Sequence, residues 1–225
     1  MKTKTAILLF ANSAKKEAER KSFLSVDVFS ALNRQILKTV EKSGITFFHF
    51  SEKQQIGSSF GERFSNAIES VFKKGFTNII TIGNDTPHLK THHLIDTLHQ
   101  LEKNDLVLGP AKDGGFYLMG IKKDHFNKET FLKLPWQTNR LHASIISIAN
   151  SKNLEIQFLE LLTDLDSKED IQNIVNSFKK ISLSILKLLH QLFFSVKNVF
   201  FEYKICIYKT SFSQNLNKGS PSIFA

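Results

Sequence analysis

Two acidic residues, Asp85 and Asp113, follow apolar runs that predict buried strands. Asp85 comes after residues 78–82 in a Gly-Asn-Asp-Thr-Pro turn, and Asp113 precedes two glycines. In an open α/β sheet, ligands bind in the crevice beyond the carboxyl ends of the strands. Carboxylate oxygens there suit a hard cation such as Mg²⁺ or Mn²⁺, which also takes phosphate oxygens from a substrate. Asp85 is therefore a candidate metal ligand, and Asp113 is a second candidate for chemistry.

Both segments also fit ordinary turns. Asn, Asp, Gly and Pro favour turns for conformational reasons, so the residues around Asp85 fit a turn and a metal site equally well. The glycines after Asp113 permit close backbone approach to a ligand, but they also permit a simple turn. The pairing of two acidic turns at successive strand ends favours a site.

Two further segments have residue types that suit ligand binding. Residues 57–63 combine a small flexible loop, a helix start and the guanidinium of Arg63, which suits a phosphate or a ribose, although a surface loop has the same composition. Trp136 follows Pro135 in a loop-like stretch, where it either covers a ligand or caps the core. His88, His92 and His93 are predicted to face solvent, because Pro87 and an expected helix cap at Thr91 exclude His88 from the following helix.

Strand-like apolar runs alternate with helix-like periodic segments, which predicts an α/β fold around a mostly parallel sheet. The segment after the first strand, rich in Lys, Glu and Ser, is predicted to be a loop. Asp166 is predicted to begin the last helix of the main body, with Glu169 at the spacing of a capping box. The predicted strands are 5–10, 45–50, 78–82, 106–108, 116–121 and 155–159, and the predicted helices are 26–42, 62–74, 91–101, 139–152 and one from 166.

Composition restricts the function classes. The chain has 225 residues and a net charge of +9, but seven of its 30 basic residues and only one of its 21 acidic residues lie from Lys179 onward. Without a basic stripe in the body, nucleic acid is not an expected partner. Cys206 is the single cysteine and the apolar run 6–11 is too short for a signal peptide, so a reducing, cytoplasmic location is expected.

The change in composition divides the chain into a main domain, residues 1–178, and a basic, Phe-rich extension, residues 179–225. Polar residues recur every three or four positions between Ile181 and Tyr203, which predicts an amphipathic helix before a disordered end. Lys187, His190 and Lys197 interrupt it and disfavour a transmembrane span. The helix is expected to pack on the body, contact another subunit or lie peripherally on a membrane.

Five sequence blocks occur in order within about residues 5–175 and together resemble one known family. The blocks are Gln55-x-Gly57-x-x-Phe60-Gly61-Glu62-Arg63-Phe64, Ile82-Gly83-Asn84-Asp85-Thr86-Pro87-x-Leu89, Leu108-Gly109-Pro110-Ala111-x-Asp113-Gly114-Gly115-Phe116-Tyr117-Leu118-x-Gly120, Leu134-Pro135-Trp136-Gln137-Thr138 and Thr163-Asp164-Leu165-Asp166-Ser167-x-Glu169-Asp170. Together they resemble the GT-A-like transferases known as radical-SAM- and selenodomain-associated glycosyltransferases.

The resemblance implies a three-layer, Rossmann-like α/β/α sandwich of the nucleotide-diphospho-sugar transferase type. It implies that Asp85 holds Mg²⁺ or Mn²⁺ and that Asp113 is the catalytic residue on the acceptor side. The implied binding residues form two sets. The nucleotide set is Ala11, Asn12, Lys15, Gly61, Arg63 and Asn84, and the substrate set is Gly114, Gly115 and Trp136.

The first loop departs from the family pattern. Members of the family carry a Pro-Gly-x-Val-Lys-Thr-Arg-Leu type loop after the first strand, whereas this chain has no glycine between Ala11 and Lys21. Either Lys15, Lys16, Arg20 or Lys21 replaces the phosphate contact, or nucleotide binding is altered or lost.

Three functions follow from the resemblance and the departure. The leading hypothesis is a metal-dependent transferase that moves a sugar from a nucleotide-diphospho-sugar to a small-molecule acceptor. The first alternative is a nucleotidyltransferase that uses a nucleoside triphosphate and a phosphorylated acceptor and releases pyrophosphate, because the same fold serves both reactions. The second alternative is a non-catalytic binding protein that retains only the fold.

Overall fold

The computed structural model describes residues 4–177 and 181–194 and contains one six-stranded sheet with the order β2-β1-β3-β5-β4-β6. Neighbouring strands are parallel, except that β5 runs antiparallel to both β3 and β4. The carboxyl ends of β1, β3 and β4 and the start of β5 therefore meet at one edge. The strands are β1 (Thr5–Phe10), β2 (Phe47–Phe50), β3 (Asn78–Ile82), β4 (Leu106–Pro110), β5 (Phe116–Lys122) and β6 (Ile156–Phe158).

Helices cover both faces of the sheet, which confirms the predicted three-layer α/β/α sandwich. The helices of the described residues are α1 (Ala14–Arg20), α2 (Val26–Glu41), α3 (Phe60–Lys73), α4 (Thr91–Lys103), α5 (Lys128–Leu132), α6 (Leu141–Ser151), α7 (Lys168–Val175) and α8 (Leu183–Phe194). One apolar cluster packs α3 and α6 on one face of the sheet, and a second packs α2 and α4 on the other.

The central strands are mostly apolar because both faces of the sheet are covered. All five residues of β3 are buried, as are the four inner residues of β1. Continuous apolar runs of this kind identified each strand in the sequence, although β2 and β6 are shorter than predicted.

Two local predictions were wrong. The segment after β1 forms the helix α1, whose first turn is capped by the Ser13 hydroxyl, which accepts from the Lys16 N–H. The helix α7 is capped by Ser167, and Asp170 completes the capping box in the place expected for Glu169. Asp166 is consequently a loop residue, free of a capping role.

The histidine prediction was also wrong for two of the three residues. His88 and His93 are buried, and His92 alone is exposed. Lys90, not Thr91, occupies the N-cap position of α4, and its N–H donates to His93 Nδ1 at 2.9 Å. The His93 ring thus satisfies the backbone donor of the N-cap residue itself.

The start of the C-terminal extension packs on the main body. Ile185 and Leu189 of α8 are fully buried in an apolar cluster with Val28, Phe29 and Leu32 of α2. The part of the predicted amphipathic helix beyond residue 194, and the predicted disordered end, lie outside the described residues. No helix within the described ranges is long and apolar enough to cross a bilayer.

Close packing of β5 on α4 predicts the effect of a single methyl group. A Cβ at Gly120 would lie 2.7 Å from Thr97 Cγ2. We expect Gly120→Ala to lower the free energy of unfolding by about 1–3 kcal/mol, because the extra atom overpacks the interface. Chemical denaturation measures this change. Thr97→Ser removes the opposing methyl and keeps the hydroxyl that donates to the His93 carbonyl. An equal loss in the wild-type and Thr97→Ser backgrounds would contradict the packing argument.

Candidate active site

A cleft of about 550 Å³ lies at the sheet edge where β1, β3 and β4 end. Four aspartates line it: Asp85 after β3, Asp113 after β4, and Asp164 and Asp166 from the loop before α7. The Leu165 N–H donates to the Asp85 carbonyl at 2.9 Å, which joins that loop to the end of β3. The Thr86 hydroxyl donates to Asp164. The structure thus brings together the two acidic turns found in the sequence and adds two more carboxylates.

Lys21 places a buried ammonium group among these carboxylates. Its Nζ lies 2.8 Å from Asp85 Oδ2 and 2.6 Å from Asp166 Oδ1, and it donates to the Leu165 carbonyl at 2.9 Å. Three acceptors match the three N–H groups of an ammonium. The Lys21 side chain is only 5% exposed. The end of α1, the end of β3 and the loop before α7 therefore converge on one cation.

Burial and neighbouring charges shift the pKa values of these groups in different directions. Burial raises the pKa of Asp85, but the charge and hydrogen bond of Lys21 outweigh it and hold that pKa below its ordinary value. Burial lowers the pKa of Lys21, but the adjacent Asp85 and Asp166 raise it overall. Burial and the charge of Asp85 raise the pKa of Asp164 well above its ordinary range. The same two causes raise the pKa of Asp166, with Lys21 opposing them.

Arg20 lines the cleft and is held by a buried carboxylate. Its Nε and Nη2 donate to Glu17 Oε2 at 3.1 and 2.9 Å. The other oxygen of Glu17 accepts from Asn12 Nδ2 at 2.6 Å, and Asn12 Oδ1 accepts from Gln55 Nε2 at 3.2 Å. The divergent first loop is therefore an ordered helix that presents one guanidinium and one amide to the cleft.

The opposite wall of the cleft is aromatic. The rings of Phe60 and Phe64 lie 5.3 and 5.1 Å from that of Trp136, and the ring of Phe10 lies 5.2 Å from that of Phe64. Trp136 Nε1 donates to the Phe131 carbonyl at 2.6 Å, which holds the indole ring against the others. Trp136 therefore both packs in an aromatic cluster and lines the cleft, which combines the two roles considered from the sequence.

The predicted binding residues divide into those that line the cleft and those that support it. Asn12, Arg63, Asn84, Gly115 and Trp136 line it, together with Asp85 and Asp113. Ala11, Lys15, Gly61 and Gly114 are not among the lining residues.

The four predicted residues that do not line the cleft have other surroundings. Lys15 is exposed on α1, and Ala11 is buried in the core. Gly61 lies against Trp136, where a Cβ would be 2.7 Å from Cδ1. Gly114 has a φ of +89°, and a Cβ there would lie 2.4 Å from the Asn139 carbonyl oxygen. These contacts explain both glycines by the packing of their neighbours.

Sequence reasoning did not select Glu17, Asp164 or Asp166 as site residues, and it named Arg20 and Lys21 only as alternative phosphate contacts. Asp164 and Asp166 belong to the Thr-Asp-Leu-Asp-Ser block, and these two acids, four and two residues before the start of α7, were the available signal. Glu17 had no comparable signal, because Lys15, Lys16, Glu19 and Arg20 around it are charged as well.

The carboxylates of the cleft have the donor chemistry for Mg²⁺ or Mn²⁺, which take hard oxygen ligands. Within the part of the chain described, His92, His93 and Glu160 form another group whose ligand atoms lie within 4.8 Å of one another. His93 Nδ1 accepts from the Lys90 N–H, so the neutral ring carries its proton on Nε2 and donates it to Glu160 at 2.8 Å. That proton occupies the nitrogen a metal would need. We interpret the group as a hydrogen-bonded helix start.

Comparisons with known proteins agree with this architecture. The sequence profile of a family described as "Uncharacterized protein conserved in bacteria (DUF2064)" matches residues 16–138. No protein with a curated description matches the chain. A crystal structure of a protein from Desulfovibrio desulfuricans G20, provisionally named a nucleotide-diphospho-sugar transferase, superposes with a TM-score of 0.69 at 21% identity, covering 84% of this chain and 95% of that one.

More distant structures give weaker likenesses. A 4-diphosphocytidyl-2C-methyl-D-erythritol synthase from Anaerococcus prevotii has a TM-score of 0.48 at 9% identity, over 76% of this chain and 94% of that one. The Rv0371c protein of Mycobacterium tuberculosis in complex with manganese has a TM-score of 0.45 at 14% identity, over 78% of this chain and 100% of that one. The Desulfovibrio structure confirms the fold inferred from the sequence.

The raised pKa of Asp164 predicts a pH-dependent gain from removing its charge. We expect Asp164→Asn to raise the free energy of unfolding at pH 8 by on the order of 1 kcal/mol, since the buried carboxyl resists ionisation only in the folded state. The stability that the protonated carboxyl contributes is complete below its unfolded pKa and is lost as the pH rises through its folded pKa.

The gain should therefore disappear below about pH 3, where Asp164 is protonated in both states. Denaturant unfolding across this pH range measures it. Asp124→Asn, at an exposed position beyond β5, is the matched control and should show no such pH dependence. A pH-independent loss of stability in Asp164→Asn would refute the assignment.

Proposed function

We propose that this chain, which belongs to the DUF2064 family of bacterial proteins, is a divalent-metal-dependent transferase that uses a nucleotide-diphospho-sugar as donor and a small hydroxyl compound as acceptor. The observation that carries the proposal is the convergence of Asp85, Asp113, Asp164 and Asp166 on one cleft at the switch-point edge of the sheet. The fold shared with the Desulfovibrio structure supports the donor class.

The metal-binding carboxylates of the proposal are Asp85 and its neighbour Asp166. Mg²⁺ and Mn²⁺ are held by one or two protein carboxylates together with phosphate oxygens. When bound, the cation would neutralise negative charge that develops on the diphosphate leaving group. Asp85 is the less exposed of the two, with 24% of its side chain exposed against 41% for Asp166.

The donor diphosphate is assigned to the side of the cleft formed by α1 and α3. Arg20 and Arg63 line that side, and guanidinium groups bind phosphate oxygens in a bidentate manner. Glu17 fixes the Arg20 guanidinium before the ligand arrives, so less side-chain freedom is lost on binding. This assignment chooses Arg20 from the alternative phosphate contacts that the sequence left open for the divergent first loop.

The acceptor is assigned to the Asp113 side. Asp113 Oδ1 accepts from the Gly115 N–H at 2.9 Å, which orients the exposed carboxylate at the mouth of the cleft. In the proposed reaction, an acceptor oxygen forms a bond to the anomeric carbon as the bond from that carbon to the diphosphate oxygen breaks. The hydroxyl proton passes to Asp113 as general base. The wall around Trp136 offers aromatic faces to the sugar or the acceptor.

Removal of the Asp85 charge tests the metal site. We expect Asp85→Asn to weaken Mn²⁺ binding in the presence of a nucleoside diphosphate by at least about tenfold, because it removes an ionised ligand. Isothermal titration calorimetry of Mn²⁺ with UDP, GDP, ADP or CDP measures the affinity. Asp124→Asn is the control and should bind as the wild type does.

The outcomes of this titration separate the functions considered. Equal Mn²⁺ affinity in Asp85→Asn and the wild type would refute the metal site, and no nucleotide binding at all would favour a non-catalytic protein. Product analysis then identifies the reaction. Release of a nucleoside diphosphate from a nucleotide-sugar supports glycosyl transfer, whereas pyrophosphate release from a nucleoside triphosphate would replace it with nucleotidyl transfer.

Substitutions at the two ends of α1 are predicted to differ in their effect on nucleotide binding. We expect Arg20→Gln to weaken nucleoside diphosphate binding by roughly tenfold, because a charge-assisted contact to the diphosphate is lost. Lys15→Gln removes the same charge from the same helix at an exposed position outside the cleft and should leave the affinity unchanged. Equilibrium titration with the same nucleotides measures both. A larger loss in Lys15→Gln than in Arg20→Gln would contradict the assignment.

A further inference from the structure

Lys21 occupies the space between the two carboxylates that the proposed function assigns to a metal. Its Nζ is bound to Asp85 Oδ2, Asp166 Oδ1 and the Leu165 carbonyl oxygen at 2.6–2.9 Å. A divalent cation also seeks several hard oxygens, at somewhat shorter distances. The ammonium and a divalent cation compete for these carboxylates, because their positive charges repel each other at such short distances.

The ammonium is not held by the rigid core of the sheet. Lys21 is the C-cap residue of α1 and directly follows Arg20, which lines the cleft. Asp85 and Asp166 are themselves partly open to solvent, with 24% and 41% of their side chains exposed. An anion that binds Arg20 would enter the same cleft that Asp85 and Asp166 line, and its oxygens would offer the Lys21 ammonium an alternative set of acceptors.

We propose that Lys21 is an internal counter-cation that excludes divalent metal from Asp85 and Asp166 until a nucleotide phosphate draws its ammonium away. Lys21 then pairs with the phosphate, and both carboxylates become free for the metal. Nucleotide and metal binding are coupled through this residue, and the coupling is equal in both directions. The inference rests on the proposed function for the identity of the anion, but not for the exclusion of the metal.

Removal of the ammonium tests the exclusion without any nucleotide. We expect Lys21→Met to bind Mn²⁺ alone at least about tenfold more tightly than the wild type, measured by electron paramagnetic resonance of free Mn²⁺. Lys21→Arg keeps the charge and should remain as weak as the wild type. Lys16→Met, on the same helix but exposed and paired with Glu19, should leave Mn²⁺ affinity unchanged. Equal affinity in Lys21→Met and the wild type, or equal tightening in Lys21→Arg or Lys16→Met, would overturn the proposal.

Thermal unfolding keeps the test decisive if Lys21→Met is poorly stable. The variant leaves two carboxylates without their cation, so Mn²⁺ should raise its Tm by more than that of the wild type. Lys21→Gln, which retains an N–H donor to the carboxylates, is the second variant and should show the same added protection. The absence of added protection in both variants would overturn the proposal.

The nucleotide dependence tests the coupling. A nucleoside diphosphate should raise the Mn²⁺ affinity of the wild type severalfold, and this enhancement should shrink in Lys21→Met. An enhancement of the same size in both proteins would overturn the coupling. If no nucleoside diphosphate binds either protein but Lys21→Met still binds Mn²⁺ more tightly, the proposed function fails and the exclusion of metal by Lys21 stands.

Discussion

The buried charge of Lys21 is the interaction on which the arrangement of the cleft depends. An ammonium removed from water is costly unless anions and hydrogen-bond acceptors replace the lost hydration. Asp85 and Asp166 supply the anions, and the Leu165 carbonyl completes the three acceptors. Because these partners come from β3 and from the loop before α7, satisfying one lysine brings the end of α1 and two distant loops to the same point.

The carboxylates around this cation differ in the direction of their pKa shifts. Asp85 is held ionised by direct contact with Lys21, whereas Asp164 has its hydrogen bond from Thr86 and is pushed toward its neutral form by burial and by Asp85. One cluster of chemically identical side chains therefore contains both an ionised carboxylate and a carboxyl group that favours retaining its proton. Environments that separate the pKa values of neighbouring acids are typical of functional sites, and structural ion-pair networks produce them as well.

The aromatic wall shows how far local sequence could predict the site. Trp136 and Gly61 both belong to the blocks that resemble the transferase family, and both were predicted to contact ligand. In the structure they contact each other, since only a residue without a Cβ leaves room for the indole ring. Motif residues thus divide into those that line the cleft and those that allow lining residues to pack, and one-dimensional spacing cannot separate the two.

The layers of the fold could be predicted from the sequence, because apolar runs and helical periodicity report burial over a few neighbouring residues. The two acidic turns could also be predicted, because each follows such an apolar run directly in the chain. The sequence predicted β1, β3 and the helices that cover the sheet, but it did not predict α1, whose residues lack an apolar periodicity. Only the tertiary structure decided the partner of Asp85, since Lys21 is 64 positions away in the chain and its neighbours Lys15 and Lys16 are indistinguishable from it by composition. The physical reason is that ion pairing depends on which loops the sheet topology brings together, whereas burial patterns are local.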